Sequence, residues 1–130
     1  MASQRIAVIG STGQLGTDLV EVLRLDDKGE TLPLSHADCD CTNANQVGEI
    51  LLKLHTNVVI NCAAYVRVDD CEDHAREAFA VNAIGALNVA RACAAANALC
   101  VYISTDYVFD GAKASPYVES DPTGPVNIYG

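Results

Sequence analysis

Residues 5–16 read RIAVIGSTGQLG, and the fold is decided there. Residues 5–9 form a short continuous apolar run, as expected of a strand buried on both faces of a parallel sheet. The run breaks at Gly10, and glycines recur at Gly13 and Gly16. From Gln14 onward Leu15, Leu19, Val22 and Leu23 return at helical spacing, until Asp26-Asp27-Lys28-Gly29 ends the helix. A glycine-punctuated turn directly after a strand and opening a helix is where a dinucleotide pyrophosphate can be held. Gly10 allows the tight turn, Gly13 lets backbone N–H groups approach, and Gly16 lets the helix pack closely. The helix N-terminus adds partial positive charge. The spacing is Gly-x-x-Gly-x-x-Gly rather than Gly-x-Gly-x-x-Gly, and without its context it would be a ligand-free turn as readily as a phosphate site. No G-x-x-x-x-G-K-[ST] occurs, which disfavours a P-loop kinase or ATPase.

Outward from this stretch, strands and helices alternate. Residues 31–34 make a second strand, weakened by Pro33 and so suited to a sheet edge. Residues 38–43 are a polar connection with room for a short strand through Cys39. Residues 44–54 are helical, with Val47, Ile50, Leu51 and Leu54 on one face. Residues 57–62 (NVVINC) are another buried strand. An alanine-rich helix follows to about Asn97, with Gly85 inside it, where glycine costs about 1 kcal/mol relative to alanine. That cost suggests close approach to the sheet or to a ligand. Residues 100–104 (CVYIS) are the next strand, and residues 105–130 hold three of the four prolines and read as loop. The order implies an α/β, Rossmann-like parallel sheet with flanking helices and right-handed crossovers, about four to five strands in all. No internal repeat or interdomain linker is visible, so residues 1–130 are expected to form a single NAD(P)-binding unit.

Composition bounds the function. The chain has 130 residues, 50% of them apolar and 19% charged, which excludes disordered and collagen-like classes. A formal net charge of −9 disfavours nucleic acid and anionic membranes as partners. MASQRIAVIG lacks the basic start and apolar core of a signal peptide, and no apolar run reaches the roughly 18 residues of a membrane span, so the cytosol is the default location. Cys62, Cys93 and Cys100 sit in apolar stretches as small hydrophobes. Cys39 and Cys41 are spaced C-x-C, neither a zinc pair nor a C-x-x-C redox pair, so reduced structural cysteines and no metal site are expected.

Where the second strand ends, an acidic residue would select NAD through the ribose 2′-hydroxyl. The chain has Ser35 and His36 there, neither acidic nor an arginine for a 2′-phosphate, which leaves NADPH or NADH open with a lean to NADP. Asp40 can reach the adenine, or serve as a turn or N-cap aspartate ahead of Ala44.

The most selective stretch is Ser104-Thr105-Asp106-Tyr107-Val108-Phe109-Asp110-Gly111, followed by Pro116-Tyr117, Glu119, Asp121, Pro125 and Tyr129-Gly130. Together with GSTGQLG at Gly10, VVINCAAY at Val58, VDDCE at Val68 and VNAIGALNVA at Val81, it resembles the dTDP-4-dehydrorhamnose reductase family of extended short-chain dehydrogenases/reductases. The resemblance covers essentially the whole chain. It implies that Gly13, Gln14 and Leu15 line the pyrophosphate, with Gly10 and Gly16 shaping the loop. It places Asp40 and Cys41 at the adenine, and Ala63, Ala64 and Tyr65 along the cofactor. Asn82 helps order the catalytic region, Thr105 bonds the substrate carbonyl, and Asp106 lies near the sugar nucleotide. Tyr129 matches the tyrosine of the Tyr-x-x-x-Lys motif, the proton donor. Apart from the resemblance, Thr105 reads equally as a strand-end hydroxyl, Tyr129 as a packed aromatic and Asn82 as a helix-face amide.

The implied reaction is NAD(P)H-dependent reduction of the 4-keto group of dTDP-4-dehydro-6-deoxy-L-mannose to dTDP-L-rhamnose. Hydride reaches the ketone carbon and the oxygen needs a proton, which a phenol supplies well only if its pKa falls from about 10 toward neutrality. In the family a lysine four residues on provides that charge. Two departures stand out. Val66 occupies a usual threonine position, and the motif lysine would be residue 133, beyond Gly130. The expectation is an N-terminal part of such an enzyme, incomplete at its C-terminus, without the substrate-binding part and inactive alone. A homodimer is conceivable for the full-length protein. Two rivals remain: a non-catalytic regulatory subunit similar to the methionine adenosyltransferase β subunit, which tends to carry serine at the Thr105 position, and a sugar-nucleotide epimerase or dehydratase.

Overall fold

The computed structural model describes residues 4–26 and 29–130. Asp27 and Lys28, expected to help end the first helix, lie outside the described residues. Four strands, β1 (Gln4–Ile9), β2 (Gly29–Leu34), β3 (Val58–Asn61) and β4 (Leu99–Tyr102), form one parallel sheet in the order β2-β1-β3-β4. The helices are α1 (Gln14–Leu25), α2 (Ala44–Lys53), α3 (Val68–Asp73), α4 (Ala75–Phe79) and α5 (Ala86–Ala95). A wide π-helical turn, Ala80–Gly85, joins α4 to α5. The Rossmann-like α/β expectation is therefore met with four strands.

Residues of a strand alternate faces, which sorts the core. Ala7, Ile9, Leu34 and Val59 meet Val47 and Leu51 of α2 and Val89, Ala92 and Cys93 of α5. Val8, fully buried, points the other way, to the side that α1 covers with Val20. The register Val8↔Ile60↔Val101 carries this second face across to β4. There it emerges from cover: Leu99, Val101 and Ile103 are exposed, at 63%, 37% and 42%. Pro33 sits on β2, at one edge of the four described strands, where a missing N–H costs least.

Three expectations change. No strand runs through Cys39, because the backbone there bonds to itself: Cys39 N donates to Ser35 O at 2.9 Å, and the Asp38 and Asp40 carboxylates take neighbouring N–H groups. The alanine-rich helix is broken at His74 (φ −121°, ψ 43°) and ends at Ala95, with Asn97 in the left-handed region at φ 53°. The close approach that Gly85 allows is not to the sheet. A Cβ there would lie 2.7 Å from Cys41 Sγ, so it is the loop before α2 that approaches. The helical run Ala75–Ala95 is also 21 residues long with mean hydropathy 1.4, long and apolar enough by length and composition to cross a membrane. The charges at Arg76, Glu77 and Arg91 hide this in the sequence. Val89, Ala92 and Cys93 of that run are buried in the core, as in a core helix.

Candidate functional site

From β1 the chain moves outward to β2, then crosses back to β3 on the other side. The strand order therefore reverses between β1 and β3, and ligands of open α/β sheets bind in the crevice outside that reversal. Gly10 stands at its edge with φ 77°, and a Cβ there would lie 2.8 Å from Ala63 N. Gly10 N and Ser11 N both donate to Leu34 O, at 3.0 and 3.1 Å, tying the loop to β2. Gly16 meets this loop rather than the sheet proper: a Cβ would be 2.1 Å from Gly10 O. Gly13 is the N-cap of α1 and has no side chain with which to cap it. The cradle fits a phosphate-bearing dinucleotide, since side chains are excluded where the ligand backbone would approach and a helix N-terminus opens into the space.

Three cavities run end to end along this edge. The first, about 290 Å³, is lined by Gly10, Gly13, His36, Asp40, Cys41 and residues 62–65 among others. The second, about 480 Å³, shares Gly13, Cys62 and Ala64 with the first and adds Gln14, Leu15, Val66, Ser104 and Tyr129. The third, about 310 Å³, shares Ser104 and Tyr129 with the second and adds Asn82, Tyr102 and Thr105. One groove thus leads from His36, past the glycine loop, to Thr105 and Tyr129.

At the first end, Asp40 serves as the turn residue. Its Oδ1 accepts from Thr42 N at 2.9 Å and from Thr42 Oγ1 at 2.8 Å, which holds its carboxyl below the usual carboxylate range. The N-cap of α2 is Asn43, whose side chain accepts from Gln46 N. Burial, with Cys41 and two aspartates nearby, pushes the Cys39 thiol up to about 11, and burial raises Cys41 and Cys62 as well. These thiols stay protonated at neutral pH and are poor nucleophiles. All six cysteines are free.

At the far end, Thr105 caps a single 3-10 turn, Asp106–Val108, its Oγ1 accepting from Tyr107 N at 3.2 Å and donating to Asp106 Oδ1 at a long 3.4 Å. The Tyr129 ring rests edge-on against Tyr107, with centroids 5.5 Å apart. Burial raises the Tyr102 phenol, and the neighbouring Tyr129 adds to it. Thr105 and Tyr129 both line the third cavity, and hydroxyls of these two types can bond and protonate a carbonyl oxygen.

The groove brings together Gly10, Gly13, Gln14, Leu15, Gly16, Asp40, Cys41, Ala63, Ala64, Tyr65, Thr105 and Tyr129. One expected residue, Asp106, stands apart, and Asn82 reaches the groove only at its third cavity. Asn82 spends its amide on Tyr65, accepting from Tyr65 N at 2.8 Å and donating to Tyr65 O at 3.0 Å, so it orders the site rather than facing the first cavity. Asp106 lies on a separate shallow surface with Phe109, Asp110 and Tyr117. Sequence reasoning missed Cys62 and Tyr102. Cys62 could have been found, because it directly follows the strand that borders the reversal. Tyr102 carried no such signal.

Against known families, the RmlD substrate binding domain matches residues 4–130. The dTDP-4-dehydrorhamnose reductase of Mycolicibacterium smegmatis is 45% identical over 130 positions, covering 98% of this chain and 38% of that protein. The chain thus spans about two-fifths of the length of the curated relatives it matches. Among solved structures, a Bacillus anthracis dTDP-4-dehydrorhamnose reductase in complex with NADP superposes with a TM-score of 0.93 at 40% identity, covering 99% of this chain and 45% of that one. A Thermus thermophilus UDP-glucose 4-epimerase complexed with NAD superposes at 0.85 with 22% identity, covering 97% of this chain and 46% of that one, and shows the shared fold alone.

Proposed function

Because the chain belongs to the RmlD substrate binding domain family, we propose that it is the cofactor-binding part of an NAD(P)H-dependent nucleotide-sugar reductase, acting on the 4-keto group of dTDP-4-dehydro-6-deoxy-L-mannose. The observation that carries this reading is the continuous groove from the uncapped α1 N-terminus to the paired hydroxyls of Thr105 and Tyr129. Gly13 keeps a side chain out of the dinucleotide's path, Gly10 and Gly16 let loop, helix and strand close together behind it, and Gln14 and Leu15 line it. When bound, the reduced nicotinamide supplies the hydride. Thr105 holds the ketone oxygen and Tyr129 delivers the proton. Asn82 keeps Tyr65 in place on the cofactor wall. Asp106, with its hydrogen bond from Thr105, would bring the sugar nucleotide in over the adjoining surface it shares with Phe109, Asp110 and Tyr117.

NADPH is the expected cofactor, following the NADP held by the Bacillus anthracis relative. Six free thiols suit a reducing compartment, and we place the protein in the cytosol. Position 133 lies beyond the 130 residues, so they are expected to bind cofactor and turn over negligibly by themselves. Calorimetric titration with NADPH and NADH, followed by nicotinamide absorbance after adding the dTDP-4-keto sugar, tests both halves. Saturable NADPH binding without turnover is expected. No binding of either cofactor would refute the reading, and enzyme-like turnover would refute the inactivity.

A further inference from the structure

Three contacts hold residues 124–130 against the rest of the molecule. Gly124 N donates to Val108 O at 2.9 Å. Gly130 packs so closely that a Cβ there would be 2.2 Å from Tyr107 O. The third contact reaches across the fold: Glu72 Oε1, on α3, accepts from Ile128 N at 2.8 Å, 56 residues away in sequence. Ile128 directly precedes Tyr129.

Two residues before Glu72, α3 is anchored at the cofactor wall. Asp70 accepts from the Tyr65 hydroxyl, and the Tyr65 backbone is held at both its N–H and its carbonyl by Asn82. Cys71, between Asp70 and Glu72, is fully buried and fixes the helix from below. The short helix is thus a strut from Tyr65, on the first cavity, to the residue before Tyr129, on the third.

We propose that Glu72 is a positioning residue that sets Tyr129 beside Thr105 by holding the Ile128 N–H. It lines none of the three cavities of the groove. Its purpose rests on the reductase reading; its geometry does not. The bond suits the task, since an N–H given to a carboxylate is shorter and roughly twice as strong as a neutral pair. A proton donor displaced by about 1 Å can cost on the order of a hundredfold in rate, and a tie on the preceding residue opposes such a displacement.

The test uses isotope-labelled 130-residue chains carrying Glu72→Ala and Glu72→Gln, the latter retaining an oxygen acceptor. In Glu72→Ala, Ile128 amide exchange is expected to rise about tenfold and the Tyr107–Tyr129 ring contact to vanish from the nuclear Overhauser spectrum, while the Tyr65 amide stays protected. Glu72→Gln is expected to restore the ring contact and most of the protection. Unchanged Ile128 exchange in Glu72→Ala would overturn the proposal, as would a Glu72→Gln chain that loses the ring contact. Should Glu72→Ala fail to fold, Glu72→Gln against the parent chain decides by the same two signals. These readouts need no cofactor, so a parent chain that ignores NADPH counts against the reductase reading and not against this tie.

Discussion

Replacing Gly16 with alanine probes the packing that shapes the whole groove. A Cβ at this position would meet Gly10 O at 2.1 Å, and Gly10 C and Ser11 Cα at 2.9 Å. All three are backbone atoms, so no side chain can swing aside. The loop cannot easily retreat, because Gly10 N and Ser11 N are bonded to Leu34 O. Nor can the helix lift freely, because Gly13 N bonds Gly10 O at 3.1 Å and Thr17 Oγ1 bonds Ser11 O at 3.3 Å. Reaching ordinary contact means opening the interface by about 1 Å. Overpacking of this kind costs about 1–3 kcal/mol, and an all-backbone clash belongs at the upper end, about 3 kcal/mol. At about 4 °C per kcal/mol for a domain this size, the melting temperature falls by about 12 °C. Gly48→Ala, on α2, is the control, because nothing lies within 4 Å of its Cβ. There the usual preference of a helix for alanine is expected to raise stability by about 0.5–1 kcal/mol. Urea unfolding followed by far-UV circular dichroism reads both variants, and NADPH titration reads the groove, where Gly16→Ala is expected to weaken binding about tenfold. A Gly16→Ala midpoint equal to the parent's would refute the contact argument. So would a Gly48→Ala variant destabilised to the same degree, since alanine would then be harmful regardless of the clash.

Two further outcomes follow from side chains bonded to backbone. Asn82→Ala strips both hydrogen bonds from Tyr65 and is expected to cost about 2 kcal/mol and to weaken NADPH binding; an unchanged urea midpoint and affinity would show that Tyr65 is held by other means. The Asp38 and Asp40 carboxyls are both held below their usual 3.8, Asp38 by hydrogen bonds from Ser35 and Asp40 by those from Thr42. A depressed folded-state pKa gives stability that is present above the unfolded value and lost as pH falls through the folded one. The melting temperature is therefore expected to hold from neutrality to about pH 5 and to drop below about pH 4. The Asp38→Asn/Asp40→Asn double variant should show a shallower drop, and an identical acid profile would remove these turns from the account.

The fold was legible where the backbone pattern is simple. Continuous apolar runs at 5–9 and 57–62, with a glycine turn between strand and helix, place the sheet and the groove without further help. Pro33 told correctly of an edge. The Cys39 region misled because C-x-C flanked by aspartates reads as a strand only if its N–H groups are free. Cys39 N turns back to Ser35 O, while Asp38 and Asp40 take the N–H groups of Ser35 and Thr42 on either side, a local competition with the ladder that spacing alone does not decide. Gly85 misled for a related reason. Its neighbour, Cys41, is 44 positions away in the chain, and only tertiary structure brings them together. Within the groove, the glycines were marked by their spacing, and Thr105 and Tyr129 by the stretch at 104–130 that carries the resemblance. Glu72 and Tyr102 each make a single hydrogen bond to backbone distant in sequence, and nothing in their local sequence marks them.

The strand order has a temporal meaning. Synthesis delivers β1, α1 and β2 first, a paired strand–helix–strand unit whose outer edge is already in place. At that stage the glycine loop has no opposite wall. The wall arrives only when residues 58–65 add to the free side of β1, after the chain has closed a loop of some fifty residues around α2. Cofactor captured in the seam therefore favours only molecules in which the early and late pieces have joined. By mass action it draws the population toward that joined state, so a small molecule would act as an assembly check on the newly made chain.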